Sequence, residues 1–267
     1  MRRPSLATHR IPADRQQRIQ RLAEDRGVIG VAELSSLLEV SEITVRRDLV
    51  ILERRGILER ARGGAVCTHR NRVVETLFPQ KHLENRKEKE AIAVSTAELI
   101  EEGDTLLVNG GSTTLEVIRR LGTKKVHVIT NNIAVALEAQ NLGVELTLLG
   151  GEYRFQSNSV VGALAALTLQ RVYSSKTLVG VDGVSVRDGL TSCVAQEAEV
   201  TRMMVERTRG QVIVVADHRK IAVVSNFISV PIDLVNVLVT DSGAQEPYRR
   251  ELEQAGVRVI AASVKTG

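Results

Sequence analysis

From residue 105 to residue 241 the chain repeats one unit: a short run of β-branched and aliphatic residues, a polar or glycine-rich turn, then an amphipathic stretch. The runs are TLLVN, VHVIT, VELTLLGG, KTLVGVDGV, QVIVVAD and VNVLVTD. Between them lie GGSTTLEVIRRL, NNIAVALEAQ, VGALAALTLQRV and AQEAEVTRMMVERT, which read as helices. Strands apolar along their whole length are buried on both faces. Strands separated by helices run parallel, because each crossover returns the chain to the same end of the sheet. The pattern predicts a mostly parallel sheet covered by helices on both sides. In such sheets ligands bind beyond the C-terminal ends of the strands.

The strand-end residues are small and polar. Asn109-Gly110-Gly111-Ser112-Thr113-Thr114 follows the first run, Thr130-Asn131 the second, Gly151 and then Arg154 the third, Asp182-Gly183 the fourth, and Asp217 with Lys220 the fifth; Glu197 lies on the last helix. These loops are expected to converge on one crevice. In Asn109–Thr114 two glycines let the backbone approach a ligand closely, and free amides at a helix start favour an anion. The loop lacks the lysine of a P-loop and is not G-x-G-x-x-G, so a small phosphate ester fits it better than a nucleotide. Glycine followed by Ser and Thr also serves simply to cap a helix. Lys220 would neutralise a phosphate or stand at the surface. Asp182-Gly183 would read sugar hydroxyls or only make a turn.

Charge separates the first quarter of the chain from the rest. Residues 1–72 hold 15 Arg, no Lys and nine acidic residues, a net +6. The remainder carries 21 basic and 23 acidic residues, a net −2. A basic small domain joined to a near-neutral larger one suggests a polyanion reader. Three short helices are expected here: Arg15–Arg26 capped by Asp14 and ended by Gly27, AELSSLLE, and EITVRRDLVILERRG capped by Ser41 and closed by Gly56. On the third, Val45, Leu49 and Leu52 form one buried stripe, while Ile43, Arg47 and Arg54 fall opposite and Arg46 on the flank. An apolar inner face with a basic outer face near the N-terminus is what a helix needs to lie in a DNA major groove. Arg46 or Arg47 would span a guanine edge, and Ser41, Glu42 and Thr44 sit at the helix start where phosphates are met. ILERARGGAV then reads as a two-stranded wing turning at Gly63-Gly64, with Arg60 and Arg62 reaching the DNA backbone or minor groove.

The expected organisation is a disordered arm over 1–13, a winged helix-turn-helix domain over 14–68, a linker over 69–88 and an α/β domain over 89–267. No apolar run is long enough for a membrane helix, and MRRPSLATHR leads into no apolar stretch, so no secretory signal is expected. Cys67 and Cys193 lack metal-ligand spacing and read as free thiols in a reducing cytosol. Neither a metal nor a cofactor is expected.

VSEITVRRDLVILERRGILERARGGAV resembles the DNA-binding signature of the DeoR family of bacterial regulators: V-S-x-x-T, a hydrophobic residue, R-R-D-L, and R-x-G-G-A in the wing. Residues 75–260 resemble its effector domain through the Gly-Ser-Thr-Thr loop, Thr130-Asn131, Gly150-Gly151, Gly162, GVDGV with GLT at 189–191, Glu197, and Asp217 with Lys220. The resemblance implies a winged helix-turn-helix joined to a sensor domain similar in fold to ribose-5-phosphate isomerase and coenzyme A transferases. It also implies a sugar- or polyol-phosphate inducer, double-stranded operator DNA as partner, a cytoplasmic dimer or tetramer, and repression. Many relatives carry Asp where this chain has Asn109. Two other readings remain: a sugar-phosphate isomerase with a DNA-binding appendage, using Asp182, Glu197, Asp217 or Lys220, and an effector-independent architectural DNA binder. A family fold does not carry chemistry by itself.

Overall fold

The computed structural model describes residues 12, 15–16, 18–19, 22–23, 28–54, 59–61, 64–66, 75–122, 124–138 and 143–264. The chain divides into two compact units, Met1–Arg72 and Val73–Gly267. Among the described residues no helix is long and apolar enough to cross a membrane.

In the first unit, residues 15, 16, 18, 19, 22 and 23 are helical; the expected cap Asp14 and stop Gly27 lie outside the described residues. Then come β1 (Val28–Gly30), α1 (Val31–Leu38), α2 (Glu42–Arg54), β2 (Glu59–Ala61) and β3 (Gly64–Val66). Alpha-helix α1 stops at Glu39, which turns left-handed at φ 52° while its amide bonds the Ser35 carbonyl. Ile19, Ala23, Ile29, Val31, Leu34 and Leu38 bury the Val45, Leu49 and Leu52 stripe of α2. Each such side chain contributes roughly 1.5–3 kcal/mol by leaving water. The small sheet has three strands, ordered β1-β3-β2 and antiparallel throughout. The VIG segment ahead of α1 joins the two strands of the wing, pairing Val28 with Val66.

The second unit begins inside the polar stretch that reads as a linker. That stretch contains α3 (Phe78–Leu83), before α4 (Arg86–Ala97). Pro79 stands in the first turn of α3, where its missing N–H is no loss, and Phe78 is buried in the main core. Next come β4 (Thr105–Val108), α5 (Ser112–Arg120), β5 (His127–Thr130), α6 (Ile133–Glu138) and β6 (Glu145–Leu148). They are followed by β7 (Glu152–Arg154), β8 (Ser159–Val161), α7 (Ala163–Leu169), β9 (Ser174–Gly180), β10 (Gly183–Ser185), β11 (Gly189–Ser192) and α8 (Ala195–Glu206). The chain continues through β12 (Thr208–Val215), a 3-10 turn (His218–Lys220), β13 (Phe227–Val230), β14 (Val237–Asp241), α9 (Glu246–Gln254) and β15 (Arg258–Ala262).

Seven strands form one parallel sheet in the order β15-β14-β12-β9-β4-β5-β6. Successive side chains of a strand point to opposite faces, and both faces are covered. Leu106 and Val108 join the core formed with Ile92, Leu115 and Ile118 of α4 and α5. Leu107, between them, packs on the opposite side with Val200 and Met204 of α8. The order reverses at β4: the chain runs outward through β5 and β6, then returns with β9 on the other flank. The crevice beyond β4 and β9 is therefore the topological switch point at which such sheets bind ligands. Three features go beyond the sequence reading: β15 at the edge, the β7–β8 hairpin, and the antiparallel sheet β10-β11-β13.

Candidate functional site

Two surfaces carry the residues singled out by sequence, one in each unit. In the first, α2 is anchored twice from inside. Its apolar stripe is buried, and so is Asp48, whose carboxylate accepts from Arg15 at 2.5 and 3.2 Å and from the Gln16 side chain at 3.1 Å. At its start the Thr44 amide donates to Ser41 Oγ at 3.3 Å, and the two hydroxyls lie 2.9 Å apart. Ser41 is thus a helix cap, with its hydroxyl at the surface. Glu42 pairs with Arg46 at 3.2 Å, both largely exposed; such a pair is worth little and yields readily to a phosphate. Ile43 is 68% exposed, a large apolar side chain facing outward. Together with Arg46, Arg47, Val50 and Ile51 it lines a shallow open groove. Arg60 stands in β2 and Gly64 opens β3. The side chains of Arg54 and Arg60, and the whole of Arg62 and Gly63, lie outside the described residues.

In the second unit a crevice opens beyond β4 and β9. It enters between Asn109–Thr113, Asn131, Gly180–Asp182, Glu197 and Lys220, with Phe78, Lys81, Ser157, Ser159, Thr191, Ser192, Thr201 and Ser229 completing the wall. At its centre is the start of α5. No side chain caps that helix, so its first amides face the crevice as donors with a positive helix end behind them. Gly110 is required by close approach: a Cβ there would stand 2.8 Å from Ser159 Cβ. Asn131 is 2% exposed and donates through Nδ2 to the Val160 carbonyl at 2.9 Å. Its Oδ1 is buried without a hydrogen-bond partner, an acceptor in want of a donor.

Charges of both signs line this wall. Lys81 Nζ donates to Asp182 at 2.8 Å, and Lys220 Nζ donates to the Val181 carbonyl at 2.6 Å. Behind Lys81, the buried Lys89 donates to the Lys81 carbonyl. Burial, with Lys220 nearby, pulls the Lys89 ammonium down to about 8. Burial acts to raise the Asp182 carboxyl, but the Lys81 and Lys220 ammoniums and the Cys193 amide outweigh it and hold it at about 2. Glu197 is pushed upward by burial; its partner Arg154 lies at 3.4 Å without hydrogen-bond geometry. The arrangement offers amides and ammoniums to an anion, and carboxylates and an amide oxygen to hydroxyl groups.

Six of the residues expected at the crevice do not line it. The Thr114 hydroxyl donates to the carbonyls of Asn109 and Gly111 and so holds the loop. The Thr130 hydroxyl donates to the Val108 carbonyl. Gly151 sits at φ 144° with no room for a side chain, since a Cβ would lie 2.4 Å from the Val161 carbonyl. Arg154 bridges Glu75 and Glu197, and Gly183 is taken up in the β10–β11 pairing opposite Thr191. Asp217 caps the 3-10 turn that presents Lys220, accepting from the Arg219 amide at 3.1 Å. Lys81, Phe78, Ser157 and Ser159 went unforeseen. Lys81 lies in a charged run that reads as linker; Ser157 lies in the loop of the β7–β8 hairpin and Ser159 opens β8, a hairpin that sequence periodicity does not reveal.

Residues 15–71 match the model of the DeoR-like helix-turn-helix domain, and residues 84–242 that of the DeoR C-terminal sensor domain. The chain is 34% identical to the HTH-type transcriptional regulator GlpR of Haloferax volcanii, over 94% of this chain and 98% of that one. It is likewise 34% identical to the lactose phosphotransferase system repressor of Streptococcus mutans, over 73% of this chain and 78% of that one. Among solved structures, ribose 5-phosphate isomerase A from Methanocaldococcus jannaschii is similar at 17% identity and a TM-score of 0.39, over 51% of this chain and 55% of that one. With the helix-turn-helix and the sensor domain both matched, in that order and along most of its length, the chain belongs to the DeoR family of DNA-binding transcriptional regulators.

Proposed function

We propose that the protein is a cytoplasmic repressor of a carbohydrate or polyol catabolic operon, released from its operator by a phosphorylated sugar or polyol. It binds double-stranded DNA as a homo-oligomer, a dimer or tetramer, through α2 and the wing. The crevice carries the effector half of this reading. An uncapped helix start flanked by Lys81 and Lys220 suits a phosphate, and Asn131 Oδ1, Asp182 and Glu197 suit hydroxyls. Exposed Ile43, Arg46 and Arg47 on a helix anchored by Asp48 and the apolar stripe support the DNA half.

Effector and operator then oppose each other by population shift. To move the protein from 1:99 to 99:1 between its two states, the ligand must prefer one by roughly 5.5 kcal/mol. The isomerase reading has less support. Its base would have to sit free over a carbon of the substrate. Asp182 is held by Lys81, Glu197 is paired with Arg154, and Asp217 caps a turn.

A thermal-shift series tests the effector class: sugar and polyol phosphates, each beside its unphosphorylated parent. A ligand bound by the folded protein raises the melting temperature by mass action. The expected result is a rise with a phosphate ester and none with its parent. A rise with the parent alone would replace the phosphate reading by a neutral-sugar one.

A further inference from the structure

The segment from Glu75 to Leu83 follows in the chain on the unit that carries α2. Among the contacts that fasten it to the rest of the sensor unit, three stand out. Glu75 accepts from Arg154 at 2.7 Å, the Phe78 amide donates to the Gln156 carbonyl at 2.7 Å, and Lys81 donates to Asp182 at 2.8 Å. Both ionic contacts lead to the crevice. Asp182 lines it, and Arg154 is ion-paired with Glu197, which also lines it. Lys81 itself faces the crevice beside Lys220 and the uncapped start of α5.

A dianion seated on those amides would offer Lys81 an acceptor of greater charge than the one carboxylate it now holds. We propose that Lys81 is an effector contact supplied by the connecting segment, and that the anionic group of the ligand takes it from Asp182. The inference rests on the reading of the crevice as an anion site. The exchange has two consequences. Asp182, still fixed by the Cys193 amide at 2.9 Å, becomes an acceptor for ligand hydroxyls, which favours a phosphorylated polyhydroxy compound over phosphate alone. The segment leading back to the DNA-binding unit also has a different partner when the crevice is full, the differential contact that a ligand needs to shift an equilibrium. Phe78 in the core and the bond from Lys89 to the Lys81 carbonyl keep the backbone seated meanwhile.

Calorimetric titration of the full-length protein with inorganic phosphate tests this through four proteins: wild type, Lys81→Gln, Asp182→Asn and the double variant. Lys81→Gln is expected to weaken phosphate binding about tenfold, the loss of one charge-assisted contact. Asp182→Asn is expected to strengthen it several-fold, and that gain should shrink once Lys81 is gone. An undiminished gain in the Lys81→Gln background overturns the exchange. Unchanged affinity in Lys81→Gln overturns the contact. If Lys81→Gln fails to fold, Lys81→Met serves: it removes the charge but keeps the apolar stem and is expected to show the same loss of phosphate affinity, and unchanged affinity in that folded variant overturns the contact. Lys220→Ala separates the two levels. Weakened binding there, with Lys81→Gln unaffected, leaves the crevice reading standing and removes this inference. A wild type that binds neither phosphate nor any ester removes both.

Discussion

Asn109 and Gly180 exchange two hydrogen bonds across the ends of β4 and β9: the Asn109 side chain donates to the Gly180 carbonyl at 2.8 Å and accepts from the Gly180 amide at 2.7 Å. Asn109 Nδ2 also donates to Thr201 Oγ1 at 3.0 Å. A carboxamide carries the donor and the acceptor that this pairing needs, whereas an ionised carboxylate carries acceptors alone. An ionised Asp here would set a second acceptor against the Gly180 carbonyl. Asn109→Asp is therefore expected to cost about 1–3 kcal/mol of sensor-unit stability, the range for leaving a buried polar group unmatched. Urea unfolding followed by near-ultraviolet circular dichroism would measure it, because Tyr153, Tyr173 and Tyr248, the chain's three tyrosines, all lie in that unit. An unaltered midpoint would contradict the assignment.

Arg47→Ala is expected to weaken operator binding by about 1–3 kcal/mol and to relax base preference at one position, the effect of losing a bidentate base contact. Ligand binding in the sensor unit should stay as it was. Selection of bound sites from a random DNA pool, wild type beside variant, gives the operator and the preference together. An identical site logo and affinity would take α2 out of the major groove.

Ile43, exposed beside Arg46 and Arg47, is expected to meet a thymine methyl if α2 enters the major groove as proposed. Replacing thymine by deoxyuridine in the selected site should cost the wild type about 1 kcal/mol, roughly fivefold. Ile43→Ala should be indifferent to the same change. Equal sensitivity in both proteins would mean that the methyl is read elsewhere.

Lys220→Ala combined with Ser112→Ala should leave DNA affinity intact and abolish release by the inducer, since both side chains line the crevice. Electrophoretic mobility shift with and without inducer shows this directly. Release that survives the double change puts the effector at another place.

Acid should reveal Asp182. Its carboxyl lies at about 2 when folded against 3.8 ordinarily. A carboxyl depressed by folding adds stability that is complete above its unfolded value and disappears as pH falls through its folded one. About 2 kcal/mol is therefore expected to be lost between pH 4 and pH 2. Asp182→Asn should show a correspondingly flatter fall over that interval by the tyrosine signal. Parallel curves would mean that the Lys81 pair contributes nothing to the folded state.

The sequence makes the regular parts of the molecule legible and the irregular parts opaque, for one physical reason. Six strands of the parallel sheet announce themselves, because burial on both faces demands unbroken apolar runs such as TLLV and VIVV. The stripe Val45, Leu49 and Leu52 shows as clearly, since one buried face imposes the helical period. Beta-strands β15 and β7 are half-exposed, so their pattern is diluted by polar residues, and the buried β8 is only three residues long. The crevice divides likewise. Asn109–Thr113 stands out because two glycines before a helix are uncommon. Lys81 does not, because a lysine in a charged run looks solvated until the fold sets Asp182 opposite it, 101 residues along the chain.

Asp48 and Arg47 are neighbours in sequence, yet one is locked inside by Arg15 and Gln16 while the other faces solvent. What keeps α2 folded and what it can recognise are thus inscribed on opposite sides of a single rod. If α2 reads the operator as proposed, a lineage built this way is re-addressed to different genes by exchanging Ile43, Arg46 or Arg47 alone, with no compensating change in the interior.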